Sequence, residues 1–220
     1  AYAELQVTSH FTFLEGASSP DELMTTAVRQ GLAALAITDR NSLAGVVRAH
    51  VAARKHGLPL VIGCRLDLED APSLLAYPTN RAAYGRLARL LSRGKRRAAK
   101  GACHLRLADV TEATPGQIFV LLPPVRHDRA SRQAFRDSIA GVRAALGGQP
   151  LYLALHRLFR GDDLAWLGWL ADCAARHGLP LVATNDVLYH LPERRPLADV
   201  MTCIRDRTTI HDAGLALGLN

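Results

Sequence analysis

Leu5-Gln6-Val7-Thr8-Ser9-His10-Phe11-Thr12-Phe13-Leu14-Glu15-Gly16 is the stretch on which the reading of this chain turns. The alternation of Leu5, Val7 and Ser9 with Gln6, Thr8 and His10 predicts a short β-strand with an apolar and a polar face, running into a loop that closes on an acid and a glycine. Polar side chains at the end of a strand that feeds a helix point, in α/β proteins, at the mouth of the site. Ser19-Pro20-Asp21-Glu22 then forms a capping box with proline at the first helical position, and Leu23, Met24, Ala27 and Val28 supply an apolar stripe, so a helix is expected from Pro20 to Gln30. Gly31 stops it. Leu32 to Thr38 reads as a buried parallel strand, Asp39-Arg40-Asn41 as the turn at its end, and Ser42 as the cap of a helix reaching His56.

The same punctuation recurs. Ala53-Arg54-Lys55-His56-Gly57-Leu58-Pro59-Leu60-Val61 matches Ala175-Arg176-His177-Gly178-Leu179-Pro180-Leu181-Val182, each a helix ending at glycine with a strand starting within two residues. Further strands are expected at Ser73–Tyr77, Gln117–Leu122 and Leu151–Leu155, and helices at Arg81–Arg93, Asp128–Leu146, Asp162–His177 and Pro196–Ile204. About seven βα units and no dividing linker point to a single α/β domain with a parallel, barrel-like sheet.

Composition narrows the class. The apolar fraction of 49% fits a globular core, and Cys64, Cys103, Cys173 and Cys203 stand without C-x-x-C spacing, which reads as four reduced thiols. No basic leader and no apolar run of the ~20 residues needed to span a bilayer is present, so a soluble cytoplasmic protein with no membrane partner is expected. The charge of +7, from 27 Lys and Arg against 20 Asp and Glu, is compatible with nucleic acid without requiring it. Arg93-Gly94-Lys95-Arg96-Arg97-Ala98-Ala99-Lys100-Gly101 reads as a glycine-bracketed basic loop, either a phosphate contact through Arg93, Lys95, Arg96, Arg97 and Lys100 or a solvated loop. Asp162-Asp163 is expected to cap the helix carrying Trp166 and Trp169, which share a face as core or interface packing. The glycines and leucines of Ala213–Asn220 carry no helix cap, and the chain is expected to continue into something longer.

Several motifs in order carry a resemblance. Ser9-His10-Phe11-Thr12-Phe13-Leu14-Glu15-Gly16, Ala36-Ile37-Thr38-Asp39, Gly45-Val46-Val47-Arg48, Leu181-Val182-Ala183-Thr184-Asn185-Asp186-Val187 and Arg194-Arg195-Pro196-Leu197-Ala198-Asp199-Val200-Met201-Thr202-Cys203-Ile204-Arg205 resemble the N-terminal PHP (polymerase and histidinol phosphatase) domain of bacterial C-family DNA polymerases, within them the error-prone, damage-induced branch. The likeness runs from Tyr2 to about Ile210. It implies a PHP domain over 1–210, with 211–220 beginning a connection to a polymerase body, and a distorted (β/α)7 TIM-like barrel whose strand ends hold His, Asp and Glu ligands for up to three metals. Such metals activate water and stabilise phosphorane charge.

Carried over position by position, the resemblance implies a degenerate pocket. The opening H-x-H falls at Gln6 and Thr8. Arg40 replaces the histidine of the T-D-H turn, Arg65 the glutamate of G-x-E, Ser73 the next histidine, and Leu188 the imidazole of D-x-H. Glu15 and Asp186 are the surviving acids. Neither leucine nor an arginine is a usable ligand, and glutamine and threonine are poor ones. The expectation is a metal-free pocket without catalytic residues, in which Arg40 and Arg65 neutralise Glu15 and Asp186. His10, His156 and His190 with Asp39 are the candidates for a relocated metal site. The implied function is a structural and interaction module of a translesion polymerase. Its palm and thumb would be the partners, together with DNA and other translesion proteins, and its magnesium lies outside this chain. Two alternatives are an active metal-dependent phosphoesterase or 3′–5′ exonuclease, and a basic domain that grips DNA.

Overall fold

The computed structural model describes residues 1–125, 128–157, 159, 161–214 and 217. Of the stretch 211–220, residues 215, 216 and 218–220 thus lie outside the described residues. The chain divides into two compact units, one comprising Ala1–Gly63, Arg157–Gly161 and Thr184–Asn220, the other Cys64–His156 and Asp162–Ala183.

The first unit is built on β1 (Ala3–Glu4), β2 (Ala34–Ile37) and β3 (Leu60–Ile62), a parallel sheet in sequence order. The connecting helices are α1 (Pro20–Arg29) and α2 (Val46–His56). The capping box of α1 is formed as expected, with the Ser19 hydroxyl accepting from Glu22 N and the Glu22 carboxylate accepting from Ser19 N. Its stripe buries Leu23, Met24 and Ala27 against Ile37 and the small face of α2, Ala49, Ala52 and Ala53. Full burial of a side chain such as Met24 contributes about 1.5–3 kcal/mol. Val28, expected in the stripe, is exposed. Gly45, not Ser42, stands at the N-cap of α2, and the Ser42 hydroxyl instead accepts from Ala44 N. The later segments add a 3-10 turn at Pro192–Arg194 and a helix over Arg195–Asp206, whose N-terminal flank is held by an ion pair of Arg194 with Glu22.

In the second unit β4 (Cys64–Leu66), β5 (Leu74–Pro78), β6 (Gln117–Leu121), β7 (Leu151–Leu155) and β8 (Leu181–Ala183) form one sheet in that order. Here the expected all-parallel sheet is corrected. β5 runs antiparallel to both β4 and β6, and of the neighbouring pairs in this sheet only β6–β7 and β7–β8 are parallel. The connection Asp67–Ser73 is too short for a helical crossover, so β4 and β5 pair as a hairpin and β5 enters the sheet reversed. The described strands thus form a three-stranded and a five-stranded sheet in a mixed α/β fold, with no closed barrel detected among them.

The helices of the second unit are Arg81–Arg96, Leu107–Thr111, Arg129–Ala145 and Asp163–His177. Leu74, Leu87, Phe119, Leu121, Ile139 and Trp166 are all but fully buried in this unit. Trp166 and Trp169 stack at 4.7 Å between centroids, with the Arg132 guanidinium 5.3 Å from the Trp166 ring, so the pair is packing. Asp162 stands at the N-cap of that helix but makes no capping bond there, its carboxylate lying 4.0 Å from Arg132.

The expected basic loop is corrected as well. Helix Arg81–Arg96 continues through Arg93, Gly94, Lys95 and Arg96. Gly94 is buried inside it, where a Cβ would lie 2.6 Å from Cys103 Sγ and 2.7 Å from Leu105 Cδ2. Glycine here permits close approach of the helix to Cys103–Leu105, a role that reads in sequence like a break.

Candidate functional site

The opening stretch is extended but is not one long strand. Beyond β1 it makes an isolated parallel bridge, Val7 with Val187, through Thr8 N donating to Val187 O at 2.8 Å and Val187 N donating to Gln6 O at 2.9 Å. Gln6, Val7, Thr8 and Ser9 are all buried, so alternation does not divide an apolar from an exposed face. Val7 enters the apolar core of the first unit, while Gln6 turns toward the Thr184–Asp186 segment. His10 leaves that arrangement. It is exposed and packs beside Phe11, the ring centroids 4.7 Å apart and the planes tilted by 31°.

The loop that follows is pinned from inside. Ser9 N donates to Asp39 Oδ1 at 2.8 Å, Thr12 Oγ1 donates to the same oxygen at 2.9 Å, and Ser9 Oγ lies 2.9 Å from Oδ2. Burial pushes the Asp39 carboxyl above the ordinary range, against the pull of these hydrogen bonds. Arg40 N in turn donates to Thr12 Oγ1 at 3.1 Å. Gly16 packs directly on the same loop, where a Cβ would stand 2.1 Å from Ser9 O.

Both surviving acids are occupied. The Arg40 guanidinium meets Glu15 in a two-point pair, Nε 2.7 Å from Oε2 and Nη1 donating to Oε1 at 2.9 Å. Asp186, in left-handed backbone geometry at φ 49°, accepts from Gln6 Nε2 at 2.7 Å, while Gln6 Oε1 accepts from Thr184 Oγ1 at 2.9 Å. The expected pairing of Arg65 with these acids is corrected. Arg65 lies in the second unit, where its Nε donates to Asp67 Oδ1 at 2.8 Å, and Ser73 Oγ donates to the same oxygen at 2.6 Å. Arg65 and Asp67 stand two apart on one strand direction and so share a side. That i, i+2 acid was the readable signal for this pair. Thr184 and the amide of Gln6 had no such signal, because their roles depend on segments far apart in sequence.

The relocated-ligand candidates do not assemble. His190 Nδ1 bonds Ser18 Oγ at 2.7 Å, His156 is buried in the second unit, and His10 faces solvent. Among the described residues no three His, Cys, Asp or Glu side chains stand together to hold a metal ion. The donor chemistry agrees with that geometry: an amide, a hydroxyl, a guanidinium and a leucine side chain stand where the resemblance puts ligands. The residues present do not fit a metal cluster. Beside Asp186 lies a hollow of about 400 Å³ lined by Arg157, Phe159, Asn185, Tyr189 and Arg195 among others. Of the expected phosphate contacts, Arg93 pairs with Glu112 at 2.5 Å and Arg97 with Asp109 at 2.8 Å, which leaves Lys95, Arg96 and Lys100 exposed.

Fold and site together define an α/β protein with a strand-end loop cluster whose acids are closed by its own donors. The chain belongs to the PHP domain family, which it matches over residues 4–153. It is 48% identical to the error-prone DNA polymerase of Caulobacter vibrioides, across 100% of this chain and 20% of that one. It is 51% identical to error-prone DNA polymerase 1 of Agrobacterium fabrum, across 97% of this chain and 19% of the relative. The chain therefore spans about a fifth of the length of these curated relatives. Its fold is similar to that of an amidohydrolase from Chromobacterium violaceum solved with bound sulfate and no metal, with a TM-score of 0.62, 19% identity and coverage of 86% and 88% of the two chains. No helix of the described residues is long and apolar enough to cross a membrane.

Proposed function

We propose that this chain is the N-terminal PHP module of an error-prone DNA polymerase, non-catalytic itself and serving to support the polymerase body. The observation that carries this reading is the double replacement in the pocket. Each acid retained from the family pattern is bound by the residue that stands at a lost histidine position, Glu15 by Arg40 and Asp186 by Gln6. A fixed guanidinium and an amide supply without metal the neutralisation and hydrogen bonding that ions would otherwise provide, and a guanidinium repels any arriving cation.

The names of the relatives, error-prone DNA polymerases, support nucleotide addition as the parent activity. We infer that this activity serves translesion synthesis in DNA repair and replication, in the cytoplasm, with magnesium held by a palm domain outside this chain. In this reading residues 1–210 work as one domain on a distorted (β/α)7 barrel plan, and 211–220 begin the connection onward. The C-terminal helix Arg195–Asp206 exposes Leu197, Val200 and Ile204 at i, i+3 and i+7, an apolar stripe suited to packing against the palm or thumb of a longer chain.

Metal analysis by inductively coupled plasma mass spectrometry, on protein purified without chelator, tests the reading together with hydrolysis of bis-p-nitrophenyl phosphate and of a 3′-labelled oligonucleotide. The expected result is substoichiometric metal and no turnover with added zinc or manganese. Stoichiometric metal with turnover would establish the rival, an active phosphoesterase or exonuclease.

A further inference from the structure

We propose that the outward face of helix Arg81–Arg96 binds the phosphodiester backbone of duplex DNA. Residues 81–100 hold eight of the chain's cations and no carboxylate, so most of the net charge of +7 is gathered on one element and its C-terminal extension. The inner side of the helix is apolar, with Ala83, Leu87, Leu90 and Leu91 buried. At 100° per residue, Arg81, Arg89 and Arg96 fall within roughly 80° of one another on the opposite side, spaced by about 12 Å and about 10 Å along the axis. All three are exposed.

The pairing of the other cations sharpens the surface. Arg93 and Arg97 are held by Glu112 and Asp109, and Arg86 donates to Pro115 O. Arg81, Arg89, Lys95, Arg96 and Lys100 have no ion-pair partner among the described residues. Between the three outward arginines stand Gly85 and Ser92, so no bulky side chain holds a ligand backbone away; a Cβ at Gly85 would lie 3.8 Å from Arg89 Nη1, which places that guanidinium over the glycine. Tyr84 is the single aromatic residue of the helix, and it lies off this face and half-buried. Without aromatic platforms for unstacked bases the face is unsuited to single strands, whose binding relies on stacking. It suits a duplex, which carries one negative charge per ~1.7 Å of axis and releases counterions when arginines replace them. Such contacts fix position without reading sequence.

Fluorescence anisotropy of the 220-residue chain with a labelled mixed-sequence duplex, between about 50 and 200 mM salt, tests the proposal. With three phosphate contacts, log K should fall with log salt at a slope of about −2.7 or steeper. The variant Arg81→Gln/Arg89→Gln/Arg96→Gln should bind at least about tenfold more weakly at low salt and lose about 2–3 units of slope. Arg29→Gln/Arg48→Gln/Arg54→Gln, an equal charge change on exposed arginines of α1 and α2, should leave both quantities nearly unchanged. The Lys replacements of the first three arginines should retain binding, and circular dichroism melts should match across variants. Equal losses in the two glutamine variants, or no duplex binding at low salt, would overturn the proposal. Tighter binding of polyglutamate than of duplex at the same salt would overturn it in favour of an acidic protein partner.

Discussion

Arg40 and Glu15 form an ion pair in which Nη1 donates to Oε1 at 2.9 Å and Nε lies 2.7 Å from Oε2. Their side chains are 34% and 15% exposed, so the pair is neither a screened surface contact nor a dry buried one. Arg40 is also tied through its backbone to Thr12, in the loop that Asp39 holds. One turn therefore fixes the guanidinium, and one loop fixes the carboxylate.

A double-mutant cycle of Arg40→Ala and Glu15→Ala measures what that fixation contributes. Partial exposure places the coupling between surface pairs and buried ones, at about 1 kcal/mol. Chemical denaturation should show each single variant destabilised and the double variant less destabilised than the sum. Strict additivity would mean that the two side chains are held independently.

Gln6 plays the corresponding part for Asp186, and it does so with both ends of its amide. Gln6→Met keeps the volume but strips Nε2 from Asp186 and Oε1 from the buried Thr184 hydroxyl. Leaving such a hydroxyl without its acceptor costs about 1–3 kcal/mol. Adding Thr184→Val to Gln6→Met should recover part of that loss, read as a shift of the urea midpoint back toward the parent chain.

Much of the fold was legible because it is written locally. The capping box at Ser19, the glycine-ended helices before Leu58 and Leu179, and the strand at Leu151–Leu155 each depend on neighbours a few residues away. The reversal of β5 was not, since a run such as Leu74–Pro78 reads the same in either direction and only the short Asp67–Ser73 connection betrays it. Gly94 misled for a related reason: a helical glycine demanded by Cys103 and Leu105 looks, in sequence, like a stop. At the site, the residue types announced that ligands were missing, and Arg40 named its own partner. The Gln6–Asp186 bond spans 180 positions and became readable only once Val7 was paired with Val187.

Asp39 gives the stability a pH signature. Burial raises its carboxyl above the ordinary 3.8, so between that value and its folded value the native state holds more protons than the unfolded chain. Its contribution is therefore fully present below the unfolded value and is lost as pH rises through the folded one. Asp39→Asn removes this titration while keeping an acceptor for Ser9 N. Urea denaturation at a series of pH values should find the variant's deficit relative to the parent growing as pH falls toward 4. A deficit independent of pH would mean that the hydrogen bonds from Ser9 and Thr12 offset desolvation in full, and one that shrinks as pH falls would mean that they outweigh it.

Gly16 is the most stringent position in the opening stretch. A Cβ there would stand 2.1 Å from Ser9 O, 2.3 Å from Ser9 C and 2.7 Å from Thr8 O, all backbone atoms that no rotamer change can move aside. The loop from Ser9 to Gly16 would have to open, and with it the bonds of Ser9 and Thr12 to Asp39 and the approach of Glu15 to Arg40. Gly16→Ala should cost about 3 kcal/mol, the upper range for overpacking in a rigid setting. It should also abolish the coupling measured between Arg40 and Glu15, because the two-point geometry depends on where that loop closes. A variant that melts with the parent and retains the coupling would show that the loop can shift without cost.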